Sequence, residues 1–89
     1  MPTKSEVPSG TSLFVKSNCG FSKRALLALA NLHLNDKVQI RNVSDDAAAA
    51  AELQQVGGKD QAPCLVIDGK AMYESAELIH ELANRAAPV

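Results

Sequence analysis

Polar and apolar positions alternate unevenly along the chain, and each change of period marks an element. From Met1 to Gly10, Pro, Ser and charged residues occur with no apolar period, which predicts a flexible tail over residues 1–10 and a folded domain over residues 11–89. Ser12–Lys16 then holds Leu13, Phe14 and Val15 in an unbroken apolar run, the mark of a short strand buried on both faces. Over Phe21–Leu34, Phe21, Leu26, Leu29 and Leu32 fall among good helix formers with no interior Gly or Pro, which predicts a helix closed by Asn35-Asp36. Val38–Val43 spaces Val38, Ile40 and Val43 with polar residues and reads as a second strand, running into Ser44-Asp45-Asp46 as candidate helix caps. Ala47–Val56 has the highest helix propensity of the chain and is stopped by Gly57-Gly58. Cys64-Leu-Val-Ile-Asp68 is a third, strongly apolar strand, and Asp68-Gly69 signals a tight hairpin into a fourth at Lys70–Met72. Ser75 caps a last helix, in which Leu78, Ile79 and Leu82 recur at helical spacing up to about Arg85, short of Pro88.

The order strand, helix, strand, helix, strand, strand, helix defines an α/β fold. A strand-helix-strand start makes the first two strands parallel, and the tight turn makes the last two antiparallel, giving a four-stranded mixed sheet flanked by helices. Length agrees with this, since 89 residues suit one domain with a modest core. Hydrophobic residues at 46% and charged residues at 21% belong to a folding, soluble chain.

Charge narrows the partners. Nine Lys plus Arg against ten Asp plus Glu leave a net charge of -1, which draws the chain neither to nucleic acid nor to an anionic membrane. Aromatic content of 3% with no Trp removes the stacking platforms of single-strand nucleic-acid binders, so a small ligand is expected. Two cysteines do not make a disulfide framework, and the polar N-terminus lacks the apolar core of a signal peptide; a cytoplasmic, reducing location is expected.

Candidate chemistry concentrates at Cys19, just after the first strand and at the first turn of the first helix. Free N–H groups and the helix dipole there favour a thiolate, with Lys16, Lys23 and Arg24 adding positive charge, so Cys19 is the candidate nucleophile rather than a small core residue. Ser22 stands where a second cysteine would complete Cys-x-x-Cys, so no disulfide can close at that site. Cys64, behind Pro63 at the start of an apolar strand, reads as buried and inert, and no Cys19–Cys64 bridge is expected. Glu74-Ser75 at the head of the last helix has two readings: a cap pair, or an anion site that uses the free N–H groups. His33 and His80 lack partners at metal-ligand spacing and read as surface histidines; Gly57-Gly58 lacks the context of a phosphate loop.

Four motifs in register resemble the glutaredoxin branch of the thioredoxin fold over about Ser12 to Arg85. Lys16-x-x-Cys19 is similar to that family's lysine and nucleophile, and Cys19-Gly20-Phe21-Ser22 is identical to the tetrad of its monothiol members. Gln61-Ala62-Pro63 stands where the family has a cis proline, and Ile67-Asp68-Gly69-Lys70 matches its hairpin. The stretch from Pro63-Cys64-Leu65-Val66 to Tyr73-Glu74-Ser75 also resembles the N-terminal domain of glutathione transferases, though their second, helical domain is not expected in 89 residues. The resemblance implies a glutathione site. Cys19 would be the nucleophile, Lys16 and Gln54 would face the glycine carboxylate, Ala62 and Pro63 would hold the cysteinyl part, and Glu74 and Ser75 the γ-glutamyl end.

Three functions follow as expectations. The first is a glutathione-dependent thiol-disulfide oxidoreductase that takes glutathione from glutathionylated or disulfide-bearing proteins through Cys19 and acts as a monomer. The second is a [2Fe–2S] carrier, dimeric only through a cluster held by Cys19 of two chains and two glutathiones. The third is a glutathione-binding module without turnover.

Overall fold

The apolar run at Leu13–Val15 takes the middle of a sheet. In the computed structural model, which describes residues 7–85, strand β1 (Ser12–Val15) is buried at every position. Strand β2 (Gln39–Asn42) pairs with it in parallel, Ser12 opposite Gln39. On the other side β3 (Cys64–Ile67), equally buried, runs antiparallel with Leu13 opposite Leu65, and β4 (Lys70–Met72) runs antiparallel to β3. The order is β2-β1-β3-β4, so the two unbroken apolar strands are central and the two with exposed positions form the edges.

Helices cover both faces, and alternation along the strands assigns each face its partners. Leu13, Val15, Leu65 and Ile67 pack with Ala25 and Leu29 of α1 (Gly20–Asn31) and with Leu78 and Leu82 of α3 (Ser75–Arg85). Phe14, Cys64 and Val66 point the other way, onto Ala49 and Leu53 of α2 (Ala47–Gly57). Asp46 caps α2, its carboxylate accepting from Ala48 N at 3.0 Å and Ala49 N at 3.3 Å, and Gly58 ends it with φ 78°. Asp68 and Gly69, at φ 53° and 79°, give the hairpin the two left-handed residues that its turn requires.

Four expectations need correction. Helix α1 stops at Asn31, not at Asn35-Asp36, because His33 adopts φ 59° and closes a Schellman motif: its N–H donates to Ala30 O at 3.1 Å, and that of Leu34 to Leu29 O at 2.9 Å. Phe21 is 60% exposed, while Ser22, Ala25 and Leu29 form the buried stripe one residue further round the helix. Strand β2 is shorter than Val38–Val43, although Val38 is still buried beside it. Ser75 is the first residue inside α3, and Glu74 before it accepts the Leu78 N–H at 2.9 Å through its carbonyl.

Most of the tail expected over residues 1–10 lies outside the described residues. Within it, Val7 rests on the α1/α3 core and Pro8 O accepts from the Thr11 hydroxyl at 2.6 Å. Among the described residues no helix is long and apolar enough to cross a membrane.

Candidate active site

Chain geometry between β1 and α1 delivers Cys19 to the open end of a helix. Asn18 turns the chain with φ 59°, and Cys19 follows in an extended conformation as the N-cap of α1. Its sulfur takes the place of the usual cap oxygen and accepts from Ser22 N at 3.4 Å. Ser22 is fully buried, and its hydroxyl lies beside the Cys19 sulfur and accepts the Lys16 N–H at 3.1 Å. The Ser22 hydroxyl first and its backbone N–H second hold the Cys19 thiol below the ordinary range; burial opposes them, and the Phe21 N–H and the Lys16 charge add smaller lowering effects. Cys19 itself remains partly exposed. The site therefore offers a reachable, hydrogen-bonded sulfur whose thiol is held below its ordinary range.

Beside it lies a cleft of about 140 Å³ lined by Phe21, Gln61, Ala62, Pro63, Tyr73, Glu74 and Ser75. Three separate segments meet here: the start of α1, the loop before β3 with a cis Ala62–Pro63 bond, and the head of α3. Phe21, two residues beyond Cys19, forms one wall, which accounts for its exposure. Of the residues singled out in the sequence, Ala62, Pro63, Glu74 and Ser75 are brought together. Lys16 sits apart from the lining, its ammonium donating to Asp60 O at 3.2 Å and lying 3.5 Å from the Asp60 carboxylate. Gln54 is exposed on α2 and donates to Gly58 O at 3.3 Å, outside the cleft lining.

Cys64 belongs to the opposite sheet face. It is buried against Phe14, Ala49 and Leu53, and burial pushes its thiol above the ordinary range, only partly offset by Tyr73, Met72 N–H and Lys59. Both cysteines are free thiols. The Tyr73 hydroxyl faces Cys64, shut off from solvent and too poorly aligned for a hydrogen bond, while Lys59 lies over the ring at 4.5 Å. Burial first, and the Cys64 sulfur second, raise the Tyr73 phenol. His33 and His80 are exposed, and among the described residues no three or more His, Cys, Asp or Glu gather to hold a metal.

Three residues at the site escape sequence reasoning. Ser22 registers there only as a missing cysteine, whereas in the fold it supplies the strongest influence on the sulfur. Asp60 lies 44 residues from its Lys16 partner, so no local pattern reveals the pair. Tyr73 enters sequence reasoning only as part of the Tyr73-Glu74-Ser75 stretch, and nothing local reveals that its hydroxyl faces Cys64.

Comparison with known proteins places this geometry. The glutaredoxin family model matches residues 12–72. No curated protein matches the sequence. Among solved structures, the thioredoxin-like protein BC3987 is 23% identical with a TM-score of 0.67 over 81% of this chain and 97% of its own. Glutathione transferase Omega 3C from Trametes versicolor is 20% identical with a TM-score of 0.70, over 96% of this chain and 38% of the transferase. A buckwheat glutaredoxin-glutathione complex is 20% identical with a TM-score of 0.61, over 85% of this chain and 74% of its own. These likenesses fix the fold as thioredoxin-like α/β.

Proposed function

The chain belongs to the glutaredoxin family, and from that premise we propose that it is a monothiol, glutathione-dependent thiol-disulfide oxidoreductase that removes glutathione from protein thiols. The observation that carries this reading is the Cys19 sulfur at the head of α1, accepting the Ser22 N–H and left partly open to solvent. In the first step the Cys19 thiolate attacks the glutathionyl sulfur of a protein–glutathione disulfide. A Cys19–glutathione disulfide forms, and the protein leaves as a thiolate that takes a proton from water. In the second, a glutathione thiolate attacks the same glutathionyl sulfur, releasing oxidised glutathione and restoring the Cys19 thiolate. The donors at the α1 terminus stabilise that thiolate as the leaving group, which is where a lowered thiol pKa favours exchange.

The cleft suits a tripeptide with charged ends. The Ala62 backbone beside Pro63 pairs with the cysteinyl part, as in strand addition. Glu74 and Ser75, at the head of α3, take the γ-glutamyl end, whose carboxylate suits the free N–H groups and whose ammonium suits Glu74. Lys16 takes the glycine carboxylate, and Gln54 joins it only by giving up its bond to Gly58 O. Glutathionylated proteins are the substrates, a monomer suffices, and a reducing cytoplasm keeps Cys19 as a thiol. A bridging [2Fe–2S] cluster would take its other thiolates from glutathione and a second copy, since one chain brings only Cys19 to the site.

The test is reduction of a glutathionylated peptide by glutathione. Cys19→Ser is expected to abolish turnover and Cys64→Ser to retain it. Turnover that survives in Cys19→Ser overturns the reading.

A further inference from the structure

We propose that Asp60 is a specificity-determining residue that competes with the ligand carboxylate for Lys16 and so weakens the site's hold on anionic thiol substrates; this rests on the glutathione reading above. The Lys16 ammonium is held twice by one residue, at 3.2 Å by the Asp60 carbonyl and at 3.5 Å by its carboxylate. Asp60 is followed directly by Gln61, Ala62 and Pro63 of the cleft wall. Lys16 is bound through its own N–H to the Ser22 hydroxyl that serves the Cys19 sulfur. A carboxylate that enters the cleft and seeks Lys16 therefore meets a carboxylate already in place. The pair is open to water, with 35% of the Lys16 side chain and 63% of the Asp60 side chain exposed, so it yields to a competitor instead of blocking it.

Exposed ion pairs contribute about 0.2–1 kcal/mol, which converts to a gain of about 1.4-fold to 5-fold in affinity when the competitor is removed. Asp60 acts through Lys16, so its effect must depend on that lysine. It must also depend on the ligand's charge: a substrate whose glycine carboxylate is esterified has nothing to place on Lys16. The loop's other contributions stay in place, because the Asp60 carbonyl is untouched by side-chain substitution.

The experiment measures kcat and KM for a peptide bearing glutathione, and for the same peptide bearing the glycine monoethyl ester of glutathione. It compares the unaltered protein with Asp60→Asn, Asp60→Glu, Lys16→Gln and the Asp60→Asn/Lys16→Gln pair. Asp60→Asn is expected to lower KM for the acid by about 1.4-fold to 5-fold, to leave KM for the ester unchanged, and to lose its effect when Lys16 is absent or at high salt. Asp60→Glu is expected to keep the unaltered KM. A KM for the acid that stays the same or rises in Asp60→Asn overturns the proposal, as does a gain that persists without Lys16 or appears equally with the ester. If the unaltered protein turns over neither substrate, the glutathione reading falls and takes the proposal with it; turnover without an Asp60 effect removes the proposal alone.

Discussion

Tyr73→Phe should make the protein more stable, although it deletes a polar group from the edge of the active site. The Tyr73 hydroxyl is cut off from solvent with no hydrogen-bond partner among the described residues, so folding strips its water and returns little. An unsatisfied buried group of this kind costs about 1–3 kcal/mol, and the few dispersion contacts of one oxygen offset only a few tenths of that. A net gain of about 1 kcal/mol follows, or about 4–8 °C in Tm for a domain of this size. Gly57 provides the converse. A Cβ at Gly57 would run into the Tyr73 hydroxyl and stand 2.9 Å from its Cζ. The usual helical advantage of alanine, about 1 kcal/mol, is then exceeded by an overpacking cost of about 1–3 kcal/mol. Gly57→Ala should therefore destabilise in the Tyr73 protein and do so less in Tyr73→Phe, where the ring Cζ still crowds the new Cβ.

Urea denaturation followed by circular dichroism, with the slope checked for constancy, measures all four proteins of the cycle. If Tyr73→Phe lowers stability by about 1 kcal/mol or more, the size of a typical net hydrogen bond, then the hydroxyl is bonded to the Cys64 thiol and the reasoning fails. Additive effects of the two substitutions would likewise exclude contact between Gly57 and the ring oxygen.

Ser22→Ala should raise the Cys19 thiol, read as a shift to higher pH in iodoacetamide alkylation, and cost about 1–3 kcal/mol in stability because the Lys16 N–H loses its acceptor. A lowered thiol gives stability that is full above the unfolded value of about 8.5 and is lost as pH falls through the folded value, so the stability difference between the native chain and Cys19→Ser should grow with pH across that window and level off beyond it; a difference flat with pH would contradict the hydrogen-bonded thiolate. His33→Gly should stabilise by about 1 kcal/mol, since His33 holds φ 59° at the end of α1, and an unchanged melting curve would show that its Cβ is not strained there.

Elements came through in the sequence wherever a local pattern carries them. Leu13-Phe14-Val15 and Cys64-Leu-Val-Ile declare central strands because burial on both faces leaves no polar position. Asp46 and Asp68-Gly69 declare a cap and a turn because their chemistry is local. The end of α1 was hidden since its left-handed residue is a histidine, a rare choice where glycine is usual. Phe21 falls in the apolar period of α1 yet outside its buried stripe, because period alone does not say which stripe faces inward; the cap geometry at Cys19 sets that rotation and buries Ser22. Cys19 itself was legible from its junction, whereas its partners depend on tertiary closure: Lys16 with Asp60, and the cleft walls from three distant segments.

Ser22 and Cys64 together define what chemistry the chain leaves to its surroundings. A cysteine at position 22 would be able to resolve a mixed disulfide on Cys19; the serine found there holds the thiol below its ordinary range and cannot be oxidised to a bridge. The remaining thiol, Cys64, is fully buried on the sheet face covered by α2, and its raised pKa keeps it protonated, so it is neither accessible nor nucleophilic. Any disulfide formed on Cys19 must therefore be opened by a thiol from solution. The proposed route through free glutathione meets that requirement, and the cleft beside Cys19, with a helix terminus at one side and the contested Lys16 nearby, is where such a thiol's charged ends would be selected.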